Sequence, residues 1–237
     1  LEGDLADRAA RVLAAGEADF VDYDLRDDDE VFGLGVGCDG TMRLLLQPLS
    51  TANDYEPLAK ILTRLDQNAH VDAPFPTGAG DETVDIRIHR PLNLLILGAG
   101  PDIGPLLGMA DALGWNASVS DHRQYYVDRL GPGIATCRPA SAVAEEIDLE
   151  RFDAAIVMSH HLASDRSYLG ALAATDIPFV GLLGPPRRRE RLLDELGDAA
   201  SGLGDRLHAP VGKKIGGRGP AAIALEIVAE LQAFFSE

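Results

Sequence analysis

Lysine is scarce in this sequence. Of 21 basic residues only Lys60, Lys213 and Lys214 are lysines, and 38 acidic residues outweigh them all, leaving a formal charge of −17. So acidic a surface excludes duplex nucleic acid as the main partner, because that affinity comes largely from neutralised phosphates. Cysteine is scarcer still, at Cys38 and Cys137 alone. Two thiols cannot build the disulfide framework of a small secreted domain, so a reducing cytoplasm is the expected setting. Long apolar runs are missing too. A membrane span needs roughly 20 residues, and the best stretch, Leu92 to Gly100, is about half that. The opening residues do not read as a signal peptide, so no secretory leader is expected. It begins at Leu1 without a methionine, so upstream sequence is expected to have been removed.

What is present suits a folded core. Of the 237 residues 46% are hydrophobic and 25% charged, which excludes disorder and fits one large or two small domains. The acidity is uneven. Residues 1–90 carry 8 basic and 19 acidic groups (−11), and residues 91–237 carry 13 and 19 (−6).

The first third reads as mixed α+β. Leu5, Ala9, Val12 and Leu13 stand at helical spacing over residues 2–15. Strands are expected near 20–25, 31–34 and 42–47, a helix near 55–66, a loop or linker over 71–82, and a half-exposed strand at 84–88. From Pro91 the texture changes to continuous apolar runs, at 92–97, 116–120, 134–137, 154–159 and 178–183. They alternate with helical segments near 101–113, 141–147, 165–174, 187–196 and 220–235. Strands apolar on both faces and separated by helices indicate a doubly wound parallel sheet of the Rossmann type. The expected architecture is therefore α/β, with a smaller N-terminal α+β domain over residues 1–82 and a Rossmann-like domain over 83–237.

Five stretches carry chemistry. Gly98-Ala-Gly100-Pro-Asp-Ile-Gly104 follows a buried strand and opens a helix, the context of a phosphate-binding turn. Asp121 ends the next strand, where a ribose hydroxyl would be held, although the glycine spacing is not the strict dinucleotide form. Gly33-Leu-Gly35-Val-Gly37-Cys38-Asp-Gly40 spends four glycines on eight positions, as a main chain approaching a ligand beside a thiol would. The competing explanation is a small residue packed at a bulge. Ser159-His160-His161 with Asp165 lies at a strand's C-terminal end, where α/β ligands bind. Adjacent histidines on an extended segment point to opposite sides, so hydrogen bonding to a ligand, or helix capping by Asp165, is expected over metal binding. Arg187, Arg188 and Arg189 form a local cationic run suited to an anion, at a helix start where the dipole opposes them. The glycine-rich loop 210–220 adds Lys213, Lys214 and Arg218.

Taken together, these residues resemble the XdhC/CoxI family, the accessory proteins of molybdenum hydroxylases such as xanthine dehydrogenase. The likeness runs through Leu1-Glu-Gly-Asp-Leu5, Gly33 to Gly40 with Leu44-Leu-Leu-Gln-Pro48, and Leu97-Gly-Ala-Gly-Pro-Asp102. It continues through Ser120-Asp-His-Arg123, Met158 to Asp165, Val180 to Arg189, Ala209-Pro-Val-Gly212 and Ile223 to Glu230. The resemblance implies a chaperone that binds molybdenum cofactor, as the molybdopterin or its dinucleotide form. It would assist sulfuration with a cysteine desulfurase, deliver the cofactor to the apo-hydroxylase, and act as a homodimer. The implied cofactor-binding residues are Gly35, Gly37, Cys38, Gly98, Gly100, Gly104, Asp121, Arg123, His160, His161, Asp165, Arg187 and Arg188, with Cys38 a molybdenum contact. Lys213-Lys214 and Gly219-Pro-Ala-Ala depart from the family pattern. The rival expectation is an NAD(P)-binding oxidoreductase, against which no tyrosine has a lysine four positions on. A scaffold with a decayed nucleotide site is the third.

Overall fold

The computed structural model describes residues 2–24 and 40–236, and its contacts divide the chain into two compact units, 1–90 and 91–237. Gly33–Asp39, with Gly35, Gly37 and Cys38, and the expected strand at 31–34 lie outside the described residues.

In the first unit, helix α1 (Glu2–Ala15) precedes an antiparallel ribbon of β1 (Asp19–Asp24) and β2 (Thr41–Leu46). Tyr23 on β1 donates its hydroxyl to Asp4 on α1 at 2.8 Å. Helix α2 (Leu58–Asp66) packs on a second ribbon, β3 (Val71–Pro76) with β4 (Thr83–Ile88). There Ile61, Val71 and Ala73 form a small core supported by Leu65, Phe75 and Ile88. The strand β3 corrects the expected loop at 71–82. Val71, Ala73 and Phe75 alternate with Asp72, Pro74 and Pro76, but two prolines hide the pattern. Each strand of a two-stranded ribbon has an unpaired side, and proline is tolerated there. The β3–β4 pairing also moves the unit boundary from 82 to 90.

The second unit runs β5 (Asn93–Leu97), α3 (Ile103–Ala112), β6 (Asn116–Asp121), α4 (Gln124–Leu130), β7 (Ala135–Cys137), α5 (Val143–Glu146), β8 (Ala154–Val157), α6 (Leu162–Ala173), β9 (Phe179–Leu182), α7 (Pro186–Leu196), β10 (Leu207–His208) and α8 (Pro220–Phe235). Every pairing in its six-stranded sheet is parallel, in the order β10-β9-β8-β5-β6-β7. Counted from β5, this is the Rossmann order, with its switch point between β5 and β8. Helix α4 was not expected from sequence, because it is seven residues long and buries only Val127.

Alternation along the strands explains both cores. Leu94 and Ile96 face a cluster with Ile103 and Leu106 of α3 and Ala224, Ile227 and Leu231 of α8. Leu95 and Leu97 face the opposite cluster, with Tyr168, Leu169 and Leu172 of α6 and Leu192 of α7. A strand covered on both sides can carry apolar residues at every position, which is why β5 and β8 read as continuous runs. Among the described residues, no helix is long and apolar enough to cross a membrane.

Ile156 lies on β8 beside the switch point and is fully buried. Ile156→Ala should lower the unfolding free energy by about 3 kcal/mol in urea titration, through lost burial and a residual cavity. Val84→Ala, at a site 48% exposed, should change it by less than about 0.5 kcal/mol.

Candidate functional site

The loops leaving the C-terminal ends of β5, β6, β8 and β9 meet around two buried carboxylates. Asp121 closes β6 with no exposed surface. Its Oδ2 accepts from the Ala99 amide at 2.6 Å and from Arg123 Nη2 at 2.7 Å, and its Oδ1 accepts from the Arg123 amide at 2.8 Å and Nε at 2.9 Å. Arg123 Nη2 also reaches the Ser159 carbonyl at 3.1 Å, and its guanidinium lies over the Tyr126 ring, 4.3 Å from the centroid. Burial opposes ionisation of Asp121, yet Arg123 and the two amides hold its carboxyl below the usual carboxylate range.

Asp165 is the second carboxylate, also without exposure. It lies in the first turn of α6, where Ser159 Oγ donates to its Oδ1 and Arg188 donates to Oδ2 from Nε at 3.1 Å and Nη2 at 2.6 Å. Glycine permits both junctions. Gly98 has φ +131°, and a Cβ there would stand 2.5–2.6 Å from the backbone of Met158 and Ser159. Gly184 has φ +142°, and a Cβ there would stand 2.6 Å from Cδ of Arg188. The β5 turn thus abuts the β8 turn, and Arg188 folds back across the β9 turn.

This arrangement redistributes the expected site residues. Asp121 points into the turn with all its hydrogen bonds used, so it does not face a ribose. Asp165 does not cap α6; His161 does, its Nδ1 accepting from the Ser164 amide at 3.3 Å. The arginine run divides, with Arg188 drawn in to Asp165 while Arg187 and Arg189 stay exposed. His160 adopts φ +58°, not an extended conformation, and its Nε2 lies 3.0 Å from Asp102 Oδ2. Asp102 stands at the N-cap of α3 without capping it, and its buried Oδ1 has no partner among the described residues. Gly100 borders this group, and Gly104 opens onto free space. Lys213, Lys214 and Arg218 are exposed on a loop pinned to α8. There Gly212 donates to Glu230 at 2.5 Å, and Ile215 and Gly216 donate to Glu226 at 3.2 and 3.1 Å.

Three polar residues enter the site without having been singled out. His122 follows Asp121 and lies 3.3 Å from Ser164 Oγ, which also contacts His161. Burial lowers the His122 pKa; Asp121 pulls the other way without reversing it, so the ring is neutral near pH 7. Tyr168 is fully buried on α6, and its hydroxyl has no partner among the described residues. Burial first, then the Asp121 and Asp165 charges, push its pKa up. His122 had only its position, just beyond the end of β6, and Ser164 and Tyr168 lie within α6.

Arg188→Ala should cost about 3 kcal/mol in urea unfolding, since it leaves Asp165 buried and unpaired. The pH dependence follows from sign. His122 has a depressed folded pKa, so its contribution is complete above the unfolded value near 6.5 and is lost as pH falls through the folded value. Asp121 behaves likewise about its own lower range, below roughly pH 3.9. Melting temperature should therefore decline from about pH 6.5 downward, and His122→Gln should flatten that first decline.

Comparison with known proteins agrees with this fold. The chain is 28% identical to a probable xanthine dehydrogenase subunit of Bacillus subtilis, over 93% of this chain and 78% of that protein. It is 32% identical to the uncharacterised protein YqeB of Escherichia coli, over 68% of this chain and 30% of that protein. The crystal structure of a xanthine dehydrogenase from Bacillus halodurans shares the fold, with a TM-score of 0.81 at 24% identity, covering all of this chain and 81% of that one. The family model for the XdhC Rossmann domain matches residues 94–231, all of the doubly wound sheet but the first residue of β5, with most of α8, and the chain therefore belongs to the XdhC family.

Proposed function

We propose that this chain is an accessory protein in the maturation of a xanthine-dehydrogenase-type molybdenum hydroxylase, holding molybdenum cofactor and passing it to the apo-enzyme. The observation that carries the reading is the XdhC Rossmann-domain match across the sheet that builds the site. The similarity to a probable xanthine dehydrogenase subunit over most of both chains supports the client class.

The site residues fit a pterin better than a dinucleotide. Among the described residues Asp102 Oδ1 is a buried acceptor without a donor, beside the glycine turn. A ligand N–H would satisfy it, and a pterin carries several. A pyrophosphate in the same place would meet a carboxylate of like charge. Exposed Arg187 and the Lys213–Arg218 loop supply cations of the kind that the phosphate end of a pterin cofactor would need. When bound, the cofactor supplies the molybdenum–dithiolene centre that the client uses. The chain's own part is to bind, orient and shield, with Cys38 as the thiol for the metal or its sulfur ligand. Sulfuration with a cysteine desulfurase, a homodimeric state and a cytoplasmic location belong to the same reading, which assigns the chain no metabolite turnover. A nicotinamide dinucleotide is the second reading, and the inward-turned Asp121 leaves its ribose without the expected carboxylate.

The test is anaerobic incubation with purified molybdenum cofactor, with NAD and NADP in parallel, followed by desalting and metal and phosphate analysis. Molybdenum should be retained near one per chain, and Cys38→Ala should reduce both retention and hydroxylase maturation in cells. Retention of a nicotinamide nucleotide alone would replace this reading with the oxidoreductase. Unchanged maturation by the Cys38 variant would remove that thiol from the site.

A further inference from the structure

His122 and His161 share one serine. Ser164 Oγ lies 2.9 Å from Nδ1 of His161 and 3.3 Å from Nδ1 of His122, and the ring centroids are 5.4 Å apart. Counting donors fixes the tautomers. His161 Nδ1 accepts from the Ser164 amide, so it carries no proton, and the neutral ring bears its proton on Nε2. The serine hydroxyl has a single proton, and the shorter contact directs it to His161. The serine oxygen is then left to accept, and His122 must donate to it from Nδ1. Asp121 Oδ1, 3.5 Å from the same nitrogen, also favours a proton there. Arg123, Asp165 and His161 complete the charged and titratable surroundings of His122, and burial keeps it neutral. Its Nε2 is therefore an acceptor, while Nε2 of His161 is a donor. Neither has a partner among the described residues.

We propose that this pair reads the lactam edge of a bicyclic nitrogen heterocycle, the ring N–H donating to His122 and the neighbouring carbonyl accepting from His161. One neutral donor beside one neutral acceptor matches a lactam. It does not match a phosphate or carboxylate, which would call for two donors. The choice of a pteridine as the natural ligand rests on the accessory-protein reading; a purine lactam presents the same edge.

Two measurements on the full chain test the pair. In long-range proton–nitrogen spectra of histidine-labelled protein at pH 7.5, His122 should appear as the Nδ1–H tautomer and His161 as the Nε2–H tautomer. Two Nε2–H rings, or a charged His122, would overturn the proposal whether or not any variant folds. In fluorescence titration, lumazine should bind at least about tenfold more tightly than 1,3-dimethyllumazine, which has no ring N–H. His122→Phe, and His161→Asn, which retains a helix cap, should each erase that preference. Equal binding of the two lumazines, or of neither, overturns the pair even if molybdenum cofactor is retained, and the accessory reading then stands without it. Discrimination by the pair with no cofactor retained sustains the pair and sinks the accessory reading. Hypoxanthine binding more tightly than lumazine sustains the pair and assigns it to purines.

Discussion

The C-terminal edge of the sheet is held by one connected polar chain. It runs from the Ala99 amide to Asp121, to Arg123, to the Ser159 carbonyl, and from Ser159 Oγ to Asp165 and on to Arg188. The turns after β5, β6, β8 and β9 are tied in this order, across the switch point where an open α/β sheet receives its ligand. Burying two carboxylates with their arginines is costly in desolvation, and equivalent apolar packing would serve stability as well or better. What the polar chain adds is direction. Hydrogen bonds fix which atoms of each turn face the crevice, and apolar contacts would leave that choice open.

That constraint decides what remains for a ligand. Asp121 and Asp165 are fully engaged, Arg123 and Arg188 are turned inward to them, and Ser159 is held by backbone and side chain alike. Among the described residues, the groups left over include the second ring nitrogens of His122 and His161, Oδ1 of Asp102 and the Tyr168 hydroxyl. A crevice whose charged residues mostly satisfy one another selects by hydrogen-bond pattern more than by net charge. This matters in a protein whose overall charge would repel an anionic ligand.

The architecture was legible because burial on both faces writes itself into the strands. Leu94–Leu97 and Ala154–Val157 are apolar at every position, and no other common context explains that beside intervening helices. Gly98 was legible for a related reason: only glycine tolerates its φ together with a backbone 2.5 Å from where a Cβ would stand. The strand at Val71–Pro76 was hidden because proline signals a loop unless the strand is known to be an edge. Among the site residues, location was readable and orientation was not. Asp121 ends the second strand, as the motif requires, but Arg123 lies two positions later and captures it. That competition is decided by side-chain geometry, to which spacing is blind. His122 and Ser164 had no signal of their own, since their relation depends on the β6 and β8 turns meeting.

The same logic bears on the glycine turn itself. In a dinucleotide enzyme the helix N-terminus after such a turn is kept free, so that its amides and dipole can receive a pyrophosphate. Here Asp102 occupies that position and shares a contact with His160, so negative charge is already in place beside α3. The helix dipole favours this carboxylate as it would favour a phosphate, and the two compete for the same field. The turn stays structurally intact with a carboxylate standing where a pyrophosphate would be received. In the proposed reading the Rossmann sheet is a rigid platform whose edge offers the neutral nitrogens of His122 and His161 beside the Asp102 carboxylate. The proposed hold and release of a cofactor would gain from that arrangement, because neutral hydrogen bonds restrain a ligand less tightly than charge-assisted ones.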